Sequence, residues 1–185
     1  MSKEIEKEVR YQINEDTINK IIKSCQLVKE EYHTVDIVLG YAGFDSLDKY
    51  GYIVRIRDKG NKLFMENKRR LPDGSWQESR VDIPNIETGL NFLMNMGYKP
   101  YLLISRKRSE YIYNDLKIFI DKIELLGDYV EIEYQDSSVE KVNDFINIFS
   151  IKGTPQPLYG DIFKEKVKNT EFRESFEQEL GKYTK

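Results

Sequence analysis

The chain has 185 residues, which is enough for one domain with a substantial hydrophobic core. Its formal net charge of -3 and its pI near 5.4 argue against a general nucleic-acid binder, because such proteins need a basic surface. It contains no stretch of about 18 apolar residues, and its first residues, MSKEIEKE, do not form a signal peptide, so we expect a cytoplasmic protein without membrane partners.

The first predicted element is a strand over EKEVRY. Glu6, Glu8 and Arg10 alternate along it. Because every second side chain of a strand lies on the same face, two acids and one base share a face of this strand. A strand face that carries both acids and a base can form part of a binding site for charged ligands.

The second predicted element is a helix from Asp16 to about Glu31. Asp16 can act as its N-cap, and apolar residues recur behind it at helical spacing: Ile18, Ile21, Ile22, Cys25 and Val28. Cys25 is the single cysteine, so it cannot form an intramolecular disulfide. We interpret it as a core residue rather than a reactive thiol.

Charged residues alternate again along the later predicted strands. They are Arg55 and Arg57; Glu66, Lys68 and Arg70; Arg80 and Asp82; Arg106 and Arg108; Lys117 and Asp121; and Glu131 and Glu133. Between them the opposite parity is apolar, as in Val54/Ile56, Val81/Ile83, Ile118/Ile120 and Val130/Ile132. This alternation is typical of antiparallel strands.

Helices are predicted between and after these strands. One runs from about Ile86 to Met96 and stops at Gly97. Another begins at Ser137 and Glu140, which have the spacing of a capping box.

Two short helices are predicted beyond Tyr159. The last presents Phe172, Phe176 and Leu180, which we expect to pack on the rest of the domain or on a partner subunit. We therefore predict a main domain over residues 1–166 and a helical tail over residues 167–185, without an internal domain boundary.

The alternating charges allow two interpretations. The strands could be ordinary half-exposed strands with their charged face in water. Alternatively, they could close into a barrel whose charged face lines the lumen, with helices covering the apolar face. Ionised groups dominate the polar face, with carboxylates in the first and last strands and cations between them. This distribution favours the barrel, where buried charges must be paired or must bind a metal or an anion.

In their order along the chain, these motifs resemble the CYTH, or triphosphate tunnel metalloenzyme, family. Its E-x-E-x-K hallmark is matched by Glu6, Glu8 and Arg10, with arginine in the lysine position. The later matching segments are IVRIR, MENK, SRVD, RKRSEY, FIDKIELLGDYVEIEY and LYGDIF. The stretch MGYKPYLLISRKRSEY and the H-x-x-D of His33 to Asp36 look most like the class IV adenylate cyclase branch. Val38 and Gly40 replace the tyrosine and aspartate usual in that linker.

The resemblance implies an α+β fold in which an antiparallel β-barrel of about eight strands has helices packed outside. It implies Mg²⁺ or Mn²⁺ as cofactor, because carboxylates hold hard divalent cations, and a cationic lining that binds phosphates. The implied metal ligands are Glu6, Glu8, Glu131 and Glu133. The implied catalytic residues are Glu6, Glu8, Arg10 and Asp121, and the implied substrate-binding residues are Arg55, Arg57, Lys68, Arg80, Arg106 and Arg108.

Three functions follow as hypotheses. The first is conversion of ATP to cyclic AMP and pyrophosphate, as in the class IV cyclases. The second is hydrolysis of inorganic triphosphate or thiamine triphosphate, and the third is non-catalytic binding of a polyphosphate or nucleotide. Arginine is effectively never deprotonated, so Arg10 could bind phosphate but could not act as a general base. A homodimer formed by the last helix is left open.

Overall fold

The computed structural model describes residues 7–41, 52–72 and 75–182. Within these ranges the strands are β1 (Lys7–Gln12), β2 (Gln26–Gly40), β3 (Tyr52–Asp58), β4 (Leu63–Arg70), β5 (Trp76–Asp82), β6 (Lys99–Tyr113), β7 (Leu116–Ile123) and β8 (Gly127–Tyr134). The helices are α1 (Glu15–Ser24), α2 (Ile86–Asn95), α3 (Val139–Ile148), α4 (Tyr159–Lys166) and α5 (Thr170–Gly181). None of these helices is both long and apolar enough to cross a membrane.

The eight strands form one antiparallel sheet. Hydrogen-bonded neighbours follow the order β1-β8-β7-β6-β2-β3-β4-β5. β1 and β5 are the ends of this order, and hydrogen bonds within the described ranges do not join them. The prediction of an antiparallel sheet of about eight strands accompanied by helices is confirmed.

The chain divides into two compact units, each built from two separate segments. Unit 1 comprises Met1–Tyr32 and Arg106–Pro157, and unit 2 comprises His33–Ser105 and Leu158–Lys185. The long strands β2 and β6 contribute residues to both units, whereas α1 and α3 belong to unit 1 and α2, α4 and α5 to unit 2.

The core of unit 1 lies on the apolar parity of β7 and β8. Ile118, Ile120, Val130 and Ile132 are buried there together with residues of the two unit 1 helices, among them Ile21 and Phe145. Burying these branched and aromatic side chains removes apolar surface from water and contributes most of the stability of such a core. Cys25 packs against the same core, as predicted, and burial raises the pKa of its thiol to about 11.

Helix α1 is shorter than the sequence predicts. Its N-cap is Asn14 rather than Asp16, since the Asn14 side chain accepts a hydrogen bond from Thr17 N at 3.0 Å. The helix ends at Ser24, so the predicted continuation to Glu31 is wrong. Residues after Gln26 are extended in β2, where Tyr32 donates to Glu110 at 2.5 Å. Strand pairing therefore overrides the local helical spacing.

The predicted capping box at Ser137 and Glu140 is also wrong. Asp136–Ser138 form a 3₁₀ turn, and Ser138 precedes α3 without a capping hydrogen bond from its side chain. Helix α3 is held instead by packing, because Phe145 and Phe149 are both buried and their ring centroids are 4.5 Å apart.

In unit 2, helix α2 approaches β3 closely at Gly89. A Cβ atom there would lie 3.0 Å from Ile56 Cδ1 and 2.6 Å from Ile83 Cδ1, so the absence of a side chain permits this packing. Helix α2 matches its prediction to within one residue, and Gly97 follows it with a φ of +90°. Val81 departs from the predicted apolar face, since it is exposed.

The two predicted C-terminal helices are confirmed as α4 and α5. Phe163 of α4 contacts Phe172 and Phe176 of α5, with ring centroids 5.8 Å apart in both pairs. Phe176 is buried, so α5 packs on α4 within unit 2. The division into residues 1–166 and 167–185 stays a prediction.

Candidate metal and phosphate site

Strand register brings the predicted charged residues of unit 1 together. The pairing of β1 with β8 places Arg10 opposite Glu131 and Glu8 opposite Glu133. The pairing of β6 with β7 places Arg108 opposite Asp121. Directly opposed side chains lie on the same face, so these charged residues share one face of the sheet with Phe119 and Tyr129, which oppose Glu131 and Asp121.

Glu8, Glu131 and Glu133 form a carboxylate cluster. Each offers an oxygen, and these oxygens all lie within 4.8 Å of one another. Mg²⁺ and Mn²⁺ prefer oxygen ligands and are commonly held by carboxylates together with substrate phosphates. The donor set therefore fits such an ion. Glu6, the fourth predicted ligand, lies outside the described residues.

Arg10 contacts two members of the carboxylate cluster. Its Nη2 donates to Glu8 Oε1 at 2.7 Å and to Glu131 Oε2 at 3.1 Å, while Nε donates to Glu131 Oε2 at 3.3 Å. Nη1 donates to the carbonyl oxygen of Pro157 at 3.2 Å. Arg10 is only 5% exposed, so these charge-assisted bonds operate where water screens them little.

Arg108 is held on the other side of Glu131. It donates from Nε and Nη2 to the two oxygens of Asp121, both at 2.6 Å, and from Nη2 to Glu131 Oε1 at 2.8 Å. Its guanidinium carbon lies 4.4 Å from the centroid of the Phe119 ring. This paired arrangement fixes the plane of the guanidinium.

The arginines keep Glu131 ionised in spite of its burial. Burial alone would raise the pKa of this carboxyl, but the charges of Arg108, Arg10 and Arg106, with the hydrogen bond from Arg108, lower the pKa well below its ordinary value. Arg106, a predicted substrate-binding residue, is itself buried. Glu131 is thus a permanent anion at neutral pH, as a ligand for a cation must be.

Unit 2 carries a second charged group, which we call the arginine array: Arg55, Arg57 and Arg80 with Asp36 and Glu66. Asp36 is fully buried and accepts from Arg57 Nε at 2.5 Å, from Arg57 Nη2 at 2.6 Å and from Arg55 Nη1 at 3.4 Å. The register explains these contacts, because Asp36 opposes Arg57 in the pairing of β2 with β3.

Glu66 is the other anion of the arginine array. It accepts from Arg55 Nε and from Arg80 Nε, both at 2.5 Å. Burial would raise the pKa of Glu66, but the charges of Arg55 and Arg57 and the bond from Arg80 outweigh it and lower the pKa to about 2. Nearby, Lys68 Nζ pairs with Glu78 Oε1 at 2.7 Å, and Glu78 also contacts Arg80.

The structure therefore gathers the predicted site residues into two groups. Unit 1 holds Glu8, Arg10, Arg106, Arg108, Asp121, Glu131 and Glu133, and unit 2 holds Arg55, Arg57, Lys68 and Arg80. Sequence reasoning assigned no role to Asp36 or Glu66, which hold the arginines in place. Each of these carboxylates lies on the same face of the sheet as arginines of a neighbouring strand. The sequence indicates that proximity only when the register between the strands is known.

His33, from the H-x-x-D motif, lies outside both groups of contacts described above. Its Nε2 is 2.9 Å from Ser105 Oγ, and the pair is exposed. The structure thus places His33 in an exposed contact with Ser105.

Comparison with known proteins identifies the fold. Similar solved structures include a protein from Pyrococcus horikoshii (TM-score 0.73, 20% identity, 87% of this chain and 99% of that chain), a putative adenylate cyclase from Bacillus halodurans (0.66, 19%, 88% and 99%) and a putative adenylyl cyclase from Hippeastrum described as having a dominant triphosphatase activity (0.57, 16%, 80% and 88%). At these identities the likeness establishes the fold alone. No curated protein matches the sequence significantly.

The family assignment comes from the sequence itself. The CYTH domain matches residues 4–157, which include β1 with Glu8 and Arg10 and β8 with Glu131 and Glu133. The predicted tunnel-type antiparallel fold agrees with the solved structures. The match spans well over half of the chain, so this protein belongs to the CYTH domain family.

Proposed function

We propose that this chain is a divalent-metal-dependent enzyme that acts on a triphosphate. The first candidate reaction is the conversion of ATP to cyclic AMP and pyrophosphate. The observation that carries the proposal is the carboxylate cluster of Glu8, Glu131 and Glu133 beside the buried Arg10 and Arg108. Anionic oxygens that could hold a cation and guanidinium groups that could bind phosphate thus lie within the four successive strands β1, β8, β7 and β6.

The carboxylate cluster would hold Mg²⁺ or Mn²⁺. When bound there, the ion would offset phosphate charge and contact substrate oxygens. Glu131 would remain ionised for this task, because its arginine neighbours lower the pKa of its carboxyl. Glu8 is less buried than Glu131, which leaves it accessible to a ligand.

Arg106 and Arg108 would bind phosphate oxygens. Asp121 acts here as a positioning residue for Arg108, since both of its oxygens accept bonds from that guanidinium. Phosphoryl transfer depends mainly on such positioning and on electrostatic stabilisation. Arg55, Arg57, Lys68 and Arg80 stay predicted substrate-binding residues.

In the cyclase reaction, the ribose 3'-hydroxyl oxygen bonds to the α-phosphorus. The bond from that phosphorus to the bridging oxygen breaks, and pyrophosphate leaves with the electron pair. The hydroxyl proton must pass to a group other than Arg10, because a guanidinium cannot accept it. Catalysis by this chain would therefore depart from any scheme in which the residue at position 10 is the base.

Hydrolysis of a triphosphate is the second candidate. It is favoured by the structural similarity to the Hippeastrum protein, which is described as having a dominant triphosphatase activity. A binding module without turnover is the third candidate, and the pairing of Arg10 with Glu8 and Glu131 supports it, because that pairing occupies carboxylates that a metal would need.

Product analysis separates these candidates. Purified protein is incubated with Mg²⁺ or Mn²⁺ and, separately, with ATP, inorganic triphosphate or thiamine triphosphate, and the products are resolved. Cyclic AMP with pyrophosphate would support the cyclase, whereas orthophosphate from one substrate would support a phosphohydrolase and identify its substrate. Tight metal-dependent binding without any product would overturn the enzyme proposal in favour of the binding module.

A further inference from the structure

Arg10 lies where a cation shared by Glu8 and Glu131 would lie. One nitrogen, Nη2, contacts an oxygen of each carboxylate, at 2.7 Å and 3.1 Å. Glu8 and Glu131 are also two of the three residues of the carboxylate cluster. The same two carboxylates therefore bind the Arg10 guanidinium and are candidate ligands of a metal ion.

Both oxygens of Glu131 are engaged by arginine. Oε2 accepts from Arg10 and Oε1 accepts from Arg108. Magnesium needs contacts of about 2.0–2.1 Å to oxygen and strict geometry. The Arg10 guanidinium lies between Glu8 Oε1 and Glu131 Oε2, so an ion that binds these two oxygens must displace it.

Arg10 shares its partners with a bound metal more directly than Arg108 does. Arg108 makes two parallel bonds, at 2.6 Å each, to Asp121, which is not a member of the carboxylate cluster. Arg10 instead donates from Nη2 and Nε to Glu8 and Glu131, which are both members of that cluster. A cation that binds Glu8 and Glu131 would therefore compete with Arg10 first.

We propose that the Arg10 guanidinium competes with divalent metal for Glu8 and Glu131, so that the chain binds metal more weakly than it would with lysine at position 10. A lysine ammonium is a point charge without a planar fork, and it cannot pair with two carboxylates and a carbonyl in the same geometry. The inference rests on the proposed metal site and adds a residue that sets its affinity.

The test is Mn²⁺ affinity, measured by electron paramagnetic resonance of free Mn²⁺ without substrate. Arg10→Lys keeps the charge and removes the fork, and we expect it to bind Mn²⁺ about tenfold more tightly than the wild type, on the scale of one bond between charged groups. Arg173→Lys is the control, because Arg173 is an exposed arginine of α5 that belongs neither to the carboxylate cluster nor to the arginine array. Its Mn²⁺ affinity should equal that of the wild type.

Further variants assign the outcomes. Glu131→Gln should abolish the tight binding of the Arg10→Lys protein, and Arg10→Gln should also tighten binding if Arg10→Lys fails to fold. Equal or weaker Mn²⁺ affinity in folded Arg10→Lys, beside a wild type that binds Mn²⁺ through Glu131, overturns the competition but leaves the proposed function standing. Absence of Mn²⁺ binding in every variant overturns both. Tighter binding by Arg10→Lys without turnover by the wild type supports the competition and overturns only the enzyme proposal.

Discussion

The two charged groups are built from the same residue types but balance their charges differently. In the arginine array, each carboxylate is enclosed by two arginines: Asp36 by Arg55 and Arg57, and Glu66 by Arg55 and Arg80. In unit 1, Glu131 also lies between two arginines, but its oxygens converge with those of Glu8 and Glu133 within 4.8 Å. Convergence of like charges is unfavourable unless a cation offsets it.

This difference indicates two tasks. The carboxylates of the arginine array fix guanidinium groups in position, whereas Glu8, Glu131 and Glu133 are the residues that would hold a metal ion in the proposed function. Strand register decides between the two tasks, because it sets which charge opposes which. Glu133 opposes Glu8 on β1, whereas Glu66 opposes Arg55 on β3 and Arg80 on β5.

The largest expected effect is on the carboxylate cluster. Glu131→Gln removes one anionic ligand, and we expect metal-dependent activity to fall about 100-fold or more. Substitution of residues that only hydrogen-bond to metal ligands already lowers metal affinity or activity by about 10–100-fold. The control is Glu165→Gln, an exposed acid of α4 paired with Lys168, which should retain full activity. Initial rates at several Mn²⁺ concentrations measure the effect, and an unchanged rate for Glu131→Gln would remove Glu131 from the site.

The second prediction tests whether the arginine array is structural. Asp36→Ala leaves the guanidiniums of Arg55 and Arg57 without their buried anion, and we expect it to lower the free energy of unfolding by about 3 kcal/mol or more. Glu8→Gln should cost clearly less, because Glu8 is partly exposed and Arg10 keeps Glu131 as a partner. Urea unfolding measures both free energies. If Asp36→Ala and Glu8→Gln lower the free energy of unfolding equally, the two charged groups do not differ in their contribution to stability.

The third prediction concerns acid. The pKa of Glu66 is about 2 in the folded chain, compared with the ordinary value of 4.5 for a glutamate side chain. A lowered folded pKa means that the contribution of Glu66 to stability is complete above pH 4.5 and is lost as the pH falls toward 2. The loss is on the order of 3 kcal/mol.

The pH dependence is isolated by comparing variants. Glu66→Gln cannot titrate at position 66, so its free energy of unfolding should fall less steeply between pH 4.5 and about 2 than that of the wild type. Glu165→Gln should keep the wild-type slope. If Glu66→Gln and the wild type lose stability in parallel, the arginine array does not hold Glu66 ionised.

Much of the sheet could be predicted because alternation is local. Val130 and Ile132 are buried in the core of unit 1, while Glu131 and Glu133 lie on the other parity, as the period of two requires. The carboxylate cluster was anticipated only through the resemblance to a family. Proximity of Glu8 to Glu131 depends on how β1 pairs with β8, which neither strand encodes alone.

Other features could not be read from local pattern. Val28 continues the helical spacing of α1, yet it lies in β2 and is exposed, because pairing with other strands decided the conformation. Asp36 is fully buried in a segment where the sequence shows only one acid among apolar residues. Its role became visible when β2 paired with β3 and placed Arg57 opposite it.

The smallest expected effect concerns Glu78, which lies at the solvent-exposed edge of the arginine array. Glu78 pairs with Lys68 and Arg80, and about half of the Arg80 side chain is exposed, so solvent screens this part of the group. Glu78→Gln should lower the free energy of unfolding by less than about 1 kcal/mol, the usual range for exposed ion pairs. Urea unfolding beside Asp36→Ala measures the contrast. A loss comparable to that of Asp36→Ala would mean that the buried network extends to Glu78, and that burial does not separate structural from solvated charges in unit 2.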